Sequence, residues 1–395
     1  MTSVEASATL ALDERIRRRI AAGDDVVHLG FGEAGLPVPS GVHEVLAGAA
    51  QANGYGPVAG STAAREAAAG YFDRRRLPTA SEQIVFAPGS KPLLYALVAA
   101  LPGDVILPRP AWVSYAAQAA LAGRRVWRVA IPAEAGGLPD PEGLEQTLTA
   151  ARAAGGDPRI LVLTSPDNPT GTVAPAELVE RVALIAEREG LSIVSDEIYR
   201  DLAYDPTSYR SPAEYLPERT YVTSGLSKSI ALGGWRIGFV RFPESRDGAE
   251  TRTRVLGIAS EVWSSLAAPM QVVATHVLGE PSEVVDHVAR SRELHRAATT
   301  AVFEALVAAG VDCRPPSGGF YLYPDLGPLH LDVETSPELA ELLLEEFGIA
   351  VLAGAAFGDD PQALRFRLAT SLLHRDEHGV QHAVDRLTNA IEGLK

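Results

Sequence analysis

The chain has 395 residues, of which 46% are hydrophobic and 22% charged, and its formal net charge is -15. This length exceeds the size at which one hydrophobic core stops growing, so two packed regions are expected. The negative charge argues against nucleic acid and anionic membranes as partners, because both would repel the surface. One cysteine, no secretory signal and no apolar run long enough to cross a bilayer favour a cytoplasmic protein.

An Arg-rich amphipathic helix is predicted first, at residues 12–22, and a Gly/Pro-rich passage follows it. The middle of the chain then alternates short β-branched runs with helical patterns, which is typical of parallel strands joined by crossover helices. Residues 160–195 form the clearest strand–helix–strand unit. The candidate strands are Gln83–Phe86, Val105–Leu107, Val126–Val129, Ile160–Leu163, Leu191–Ser195, Tyr221–Thr223 and Ile237–Val240.

The last part of the chain begins with one long predicted helix, Val284–Ala309, and continues with short strands and further helices. We assign residues 41–282 to a large α/β domain and residues 283–395 to a small α+β domain. Residues 1–40 are assigned to the small domain, so the two ends of the chain must meet. The predicted fold class is α/β, with a mostly parallel sheet flanked by helices and a smaller α+β domain from both termini.

Polar residues follow three of the candidate strands. Asn168 lies after the first, Asp196 and Tyr199 after the second, and Lys228 after the third. Ligands of open parallel sheets bind outside the carboxyl ends of the strands, so these side chains are predicted to share a site. Taken alone, Asp196 is more typical of a helix N-cap and Asn168 of a turn.

Two further segments are suited to an anion. Gly89-Ser90 joins a strand to a predicted helix, and backbone N–H groups at a helix N-terminus bind phosphate. Lys91, taken alone, is more typical of a solvated side chain. Arg236 follows Lys228 by eight positions, with paired glycines between them. Two cations at this spacing can serve one anionic group, although an isolated pair is more typical of the surface.

Ten short motifs occur in order along nearly the whole chain. They are Gly32-Glu33, Tyr55–Gly60, Gly89–Lys91, Pro110–Tyr115, Ser165–Gly171, Asp196–Tyr199, Ser227-Lys228, Gly234–Gly238, Gly318–Tyr321 and Arg365–Thr370. Together they resemble the class I/II aminotransferases of fold type I, which use pyridoxal 5'-phosphate (PLP). The resemblance implies a homodimeric enzyme of amino acid metabolism that moves an amino group from an amino acid to a 2-oxo acid.

The resemblance also implies roles around the PLP ring. Lys228 would bind the cofactor as a Schiff base, and Asp196 would pair with the pyridinium nitrogen. A carboxylate there keeps the nitrogen protonated, so that the ring can accept electrons. Asn168 and Tyr199 would hydrogen-bond the 3-oxygen, while Trp112, whose simplest interpretation in isolation is an ordinary core or surface aromatic, would stack on the ring.

For the phosphate, the resemblance implies binding by Ser90, Lys91 and Arg236, together with Tyr55 of a neighbouring subunit. The family often has a phosphate-binding serine three residues before the lysine. Gly225 stands there in this chain, so one contact is lost or is replaced by Ser224 or Ser227.

For the substrate, the resemblance implies that Arg365 binds the α-carboxylate, with help from Asn168 and the backbone N–H of Gly32. A guanidinium suits this role because its planar fork donates two parallel hydrogen bonds. Arg365 and Arg367 are two residues apart in a candidate strand and are expected on the same side of it. Alignment with the family favours Arg365.

The substrate class is inferred from a missing residue. No arginine occurs in residues 259–267, where dicarboxylate-specific relatives carry one, so a neutral or aromatic amino acid is predicted. A PLP-dependent lyase that eliminates a β- or γ-substituent remains open, because the same motifs serve both reactions. A non-enzymatic PLP-binding regulatory module is disfavoured, because such proteins usually carry an added DNA-binding domain. Only about 30 residues precede Gly32, and the negative net charge would repel DNA. No metal, nucleic acid or membrane partner is expected.

Overall fold

The computed structural model describes residues 7–395. All the candidate strands are present in order, with bounds that differ by a few residues, together with β1, which the sequence patterns do not predict. They are β1 Val27–His28, β2 Ile84–Pro88, β3 Asp104–Arg109, β4 Val126–Ala130, β5 Pro158–Thr164, β6 Ser192–Asp196, β7 Thr220–Gly225, β8 Ile237–Arg241, β9 Tyr321–Leu322, β10 Ile349–Ala350, β11 Leu352–Ala353 and β12 Phe366–Ala369.

The helices include all those that the sequence predicts, among them the long helix after residue 281. They are α1 Ala8–Ala21, α2 Ser40–Ala49, α3 Thr62–Asp73, α4 Ser90–Ala100, α5 Val113–Leu121, α6 Pro141–Ala153, α7 Ala176–Glu189, α8 Arg246–Val262, α9 Ala268–Leu278, α10 Ser282–Ala308, α11 Ser336–Phe347 and α12 Gly379–Leu394. Within residues 7–395, no helix combines the length and apolar character needed to span a bilayer.

The central sheet has the strand order β2-β8-β7-β6-β5-β3-β4. The strands from β7 to β4 are parallel to one another, whereas β8 is antiparallel to both of its neighbours. The predicted mostly parallel sheet is therefore confirmed, with β8 as the exception. No crossover helix lies in residues 226–236, and a chain that returns directly to its neighbour pairs antiparallel.

Helices cover both faces of this sheet, and the middle strands are buried on both sides. Helix α7 shows why: it packs Val179, Val182 and Ile185 against the sheet and exposes the opposite side. The carboxyl ends of β5, β6 and β7 lie side by side, because Thr164 pairs with Asp196 and Asp196 pairs with Thr223. The polar segments after these strands consequently meet at one edge.

The two ends of the chain pack together. Strand β1 pairs in parallel with β10, and Leu29 joins a buried cluster formed mainly by residues after 300. Strands β11, β12 and β9 form a separate antiparallel sheet next to it. This arrangement is what a small domain built from both termini requires, while the boundaries at 41 and 283 stay a prediction.

Candidate active site

A cavity of about 330 Å³ lies at the carboxyl edge of the central sheet. The residues that line it come from the N-terminal part of the chain, from the ends of β5 and β6, from the segments after β2, β3, β5, β6 and β7, and from β9 and β12. Residues remote in sequence therefore meet here. Nine predicted site residues are among them: Gly32, Ser90, Lys91, Trp112, Asn168, Asp196, Tyr199, Lys228 and Arg236.

Two predicted residues lie elsewhere. Tyr55 is 97% exposed and does not line the cavity of its own chain. Arg365 is ion-paired with Asp325 at 2.7 Å and with Asp359 at 3.2 Å, in a different cleft. The expectation that Arg365 faces the site is therefore wrong, and Arg367 takes its place.

The two arginines diverge because Arg365 precedes the regular strand, which begins at Phe366. The alternation of side chains along a strand therefore does not apply to Arg365. Arg367 is 1% exposed and donates to the carbonyl of Gly30 at 2.6 Å and to Oδ1 of Asn168 at 3.1 Å. Its Nε has no hydrogen-bond partner within residues 7–395 and can still serve a ligand.

Lys228 projects into the cavity from the loop after β7. Its Nζ donates to the carbonyl oxygen of Gly32 at 2.6 Å, so the group that Gly32 offers here is its carbonyl. The pKa of Lys228 is lowered to about 8, chiefly by burial and in smaller part by the positive charges of Arg367 and Arg236. An amine with this pKa is partly neutral near pH 7 and can act as a nucleophile or a base.

Asp196 ends β6 and is 3% exposed. Its Oδ2 accepts a hydrogen bond of 2.9 Å from the phenol of Tyr115, and its Oδ1 accepts weaker ones from Thr223 at 3.4 Å and from the N–H of Ile198 at 3.3 Å. Burial raises the pKa of Asp196 to about 6. A buried carboxylate of this kind is suited to a cationic ligand group.

The sequence patterns do not single out Tyr115, although a signal for it exists. Tyr115 follows Trp112 by three residues at the start of α5, and residues three apart share one helix face. Their rings meet edge to face with centroids 5.2 Å apart. If Trp112 is placed in the site, Tyr115 belongs there too.

Tyr199 contacts a second tyrosine that the patterns also leave out. The hydroxyls of Tyr199 and Tyr321 are 2.7 Å apart, and both side chains are buried. The guanidinium of Arg367 lies 4.9 Å from the centroid of the Tyr321 ring. Burial raises the pKa of both phenols, so each keeps its proton and can donate a hydrogen bond.

An anion cradle lies at the N-terminus of α4. Gly89 has φ +95°, and a Cβ there would lie 2.3 Å from Nη2 of Arg236, so only glycine allows this approach. Helix α4 begins at Ser90, whose N–H and that of Lys91 are in the first turn and face no helical acceptor. The backbone N–H groups, the helix dipole and Arg236 together suit a phosphate.

Gly225, where the family often has a serine, is explained by packing. A Cβ at Gly225 would lie 2.7 Å from the carbonyl oxygen of Ile237 on the adjacent strand. Of the two candidate replacements, Ser227 lines the cavity and Ser224 does not.

Comparison with known proteins gives the family. The family model "Aminotransferase class I and II" matches residues 24–387. The chain belongs to this family. It is 33% identical to the aspartate/prephenate aminotransferase of Thermus thermophilus over 98% of this chain and 97% of that protein, and 32% identical to the aspartate aminotransferase of Geobacillus stearothermophilus over 99% and 98%. The structure of aspartate aminotransferase from Thermus thermophilus with maleate superposes with a TM-score of 0.88, at 32% identity, covering 98% and 97% of the two chains.

As a class I and II aminotransferase, the protein is an enzyme that uses PLP. The cavity fits this cofactor on three independent grounds. A buried lysine amine, Lys228, can bind its aldehyde, and the buried carboxylate of Asp196 can meet its ring nitrogen. The cradle at Ser90 and Arg236 suits its phosphate. The predicted fold, family and cofactor are thus confirmed.

Proposed function

We propose that this aminotransferase takes a dicarboxylic amino donor of the aspartate or glutamate type and passes its amino group to a 2-oxo acid. The observation that carries the proposal is the ammonium of Lys91. It lies in the cavity, 5.1 Å from the centroid of the Trp112 ring, and no carboxylate within residues 7–395 forms an ion pair with it. A cation in this position suits a second carboxylate of the substrate.

The distribution of the cations supports this assignment. Arg236 lies against Gly89 and belongs with the phosphate cradle. Arg367, whose Nε has no partner among the residues that the structure describes, suits the α-carboxylate, which every amino acid substrate carries. Lys91 is then left for the distal carboxylate, while its backbone N–H stays with the phosphate. The relatives from Thermus thermophilus and Geobacillus stearothermophilus are named for aspartate, which agrees with this division.

When bound, PLP supplies an electron sink for the electron pair left by the departing Cα proton. Asp196 would hold the proton on the ring nitrogen. Lys228, once displaced by the substrate amine, would accept the Cα proton at Nζ, because its pKa of about 8 suits a base near neutral pH. Tyr199 would donate to the 3-oxygen, and Trp112 would cover the ring and exclude water.

A second candidate remains the neutral or aromatic substrate predicted from the missing arginine. The apolar side chains of Leu10, Phe31 and Ile198 in the cavity wall favour it. We also propose a homodimer in which Tyr55, which is 97% exposed, reaches the neighbouring cradle.

A panel of amino donors separates the candidates. Purified holoenzyme is assayed with aspartate, glutamate, leucine and phenylalanine, each with a 2-oxo acid acceptor. We expect the highest kcat/KM for a dicarboxylic donor. Lys91→Met is expected to lower kcat/KM for that donor by about tenfold or more, since it removes a hydrogen bond between two charged groups, and to change the value for leucine little.

The ratio of kcat/KM for the dicarboxylic donor to kcat/KM for leucine does not depend on how much of the enzyme carries PLP. A variant that merely binds PLP more weakly would therefore leave this ratio unchanged. Arg181→Met, on the exposed side of α7, is the matched loss of a positive charge and should leave the ratio unchanged. Higher activity with leucine or phenylalanine, unaltered by Lys91→Met, would favour the second candidate. Ammonia release without an acceptor would favour the lyase alternative.

A further inference from the structure

The phenol of Tyr115 stands between two buried polar groups. It lies 2.7 Å from Oγ1 of Thr164 and 2.9 Å from Oδ2 of Asp196. A carboxylate can only accept, so Tyr115 donates to Asp196 and accepts from Thr164. Tyr115 is 5% exposed and Thr164 is 3% exposed, so water does not compete for these bonds.

This hydrogen bond is the shortest that Asp196 receives, and the other two reach its other oxygen. Tyr115 is also fixed from behind, because it is part of the buried cluster on one face of the sheet. The phenol therefore comes from a rigid helix and meets the carboxylate in one geometry.

We propose that Tyr115 is a positioning residue that orients the Asp196 carboxylate and favours its charged form, and thereby sets the affinity for PLP and the pH range of activity. The inference rests on the proposed role of Asp196 at the ring nitrogen. It adds a group that lines the cavity and acts through its hydrogen bond to Asp196.

The surroundings of Asp196 favour its protonated form, and the hydrogen bond from Tyr115 opposes this effect. The pKa of Asp196 is raised to about 6, mainly by burial and in smaller part by the negative charge of Glu197, and the bond from Tyr115 is the main influence that lowers it. Lys228 and Tyr199 face the carboxylate from the cavity side. Loss of the phenol would move the pKa of Asp196 upward, so that more of the carboxyl is protonated at neutral pH.

The test is Tyr115→Phe, with Tyr221→Phe as the matched control. Tyr221 is also buried, and its hydroxyl donates to Oγ1 of Thr251 at 3.1 Å, outside the cavity. Two quantities are measured: the dissociation constant of PLP by absorbance titration, and the acidic limb of the pH profile of kcat/KM. We expect Tyr115→Phe to raise the dissociation constant about tenfold or more and to move the acidic limb upward by about one pH unit. Tyr221→Phe should change neither.

A folded Tyr115→Phe protein that keeps both quantities within about twofold of the wild type would overturn the proposal. If this variant does not fold, Thr164→Val removes the hydrogen bond to the phenol with little change of shape. It should shift both quantities in the same direction, and an unshifted result would overturn the proposal equally. The affinity for PLP is measured without substrate, so a result of the donor assays that contradicts the dicarboxylic donor does not affect the proposal for Tyr115. If the wild-type protein did not bind PLP, both proposals would be wrong.

Discussion

At the scale of a residue, Arg365 and Arg367 show that two identical side chains close together in sequence can have different surroundings. Both are arginines in one short segment, yet Arg365 is neutralised by Asp325 and Asp359 while Arg367 is buried in the cavity. The acidic partners lie 40 and 6 residues away along the chain. No local pattern could distinguish the two side chains.

Replacing each arginine by lysine separates their roles. We expect Arg367→Lys to raise KM for the amino donor by about tenfold to a hundredfold, because an ammonium cannot form the parallel hydrogen bonds of a guanidinium. Arg365→Lys keeps its ion pairs and should change KM less than about twofold. Steady-state kinetics at saturating PLP measure both, and a larger effect of Arg365→Lys would restore the assignment from the resemblance.

At the scale of an element, the loop after β5 carries an unusual buried acid. Asp167 is 2% exposed, accepts hydrogen bonds from the N–H and hydroxyl of Thr170, and has no ion-pair partner within residues 7–395. Burial raises its pKa to about 7. The folded state therefore binds the proton more tightly than the unfolded chain, in which an aspartate titrates near about 3.9.

The pKa of Asp167 in the folded and in the unfolded state determines how its contribution to stability changes with pH. The protonated form of Asp167 is compatible with burial, so its cost to stability is absent below about pH 4 and grows as the pH rises towards 7. Asp167→Asn keeps an acceptor for Thr170 without the charge, and should raise the free energy of unfolding at pH 8 by up to the order of 4 kcal/mol. Its effect at pH 5 should be clearly smaller.

Urea denaturation at pH 5 and pH 8 measures this difference. The control is Asp205→Asn, on an exposed turn, where hydrogen bonds from Thr207 lower the pKa of the carboxyl. It should shift the pH dependence in the opposite direction. Equal stabilisation by Asp167→Asn at both pH values would contradict a buried, partly protonated Asp167.

At the scale of the whole molecule, the cavity depends on contacts between the two ends of the chain. Leu29 is fully buried, its N–H donates to the carbonyl of Ala350, and its carbonyl accepts from the N–H of Ala369. The carbonyl oxygens of Gly30 and Gly32, just after it, accept from Arg367 and Lys228. The N-terminal segment thus connects the C-terminal part to the site.

Leu29→Ala tests this connection. We expect the free energy of unfolding in urea to fall by about 2–5 kcal/mol, as is usual when a buried leucine leaves a cavity. Leu184→Ala, on α7, is the control: its side chain is 56% exposed, and the change should stay within about 0.5 kcal/mol. A loss for Leu29→Ala as small as that of the control would show that the two ends of the chain pack independently.

The sequence by itself determined the order and type of the elements, because periodicity is a local property. The β-branched runs predicted each central strand, and the 3.6-residue pattern predicted α7 and α10. The rule that ligands bind at the carboxyl ends of parallel strands then placed Asn168, Asp196 and Lys228 together, and the cavity does contain all three.

Only the tertiary structure decided which side chains complete this set. Tyr115 and Tyr321 enter the site through hydroxyl contacts with Asp196 and Tyr199, which lie 81 and 122 residues away along the chain. The reversal of β8, the choice of Arg367 and the position of the Lys91 ammonium, which has no carboxylate partner in the described part of the chain, depend likewise on neighbours remote in sequence. A local pattern fixes which way a side chain points along its element, whereas packing between elements fixes what that side chain meets.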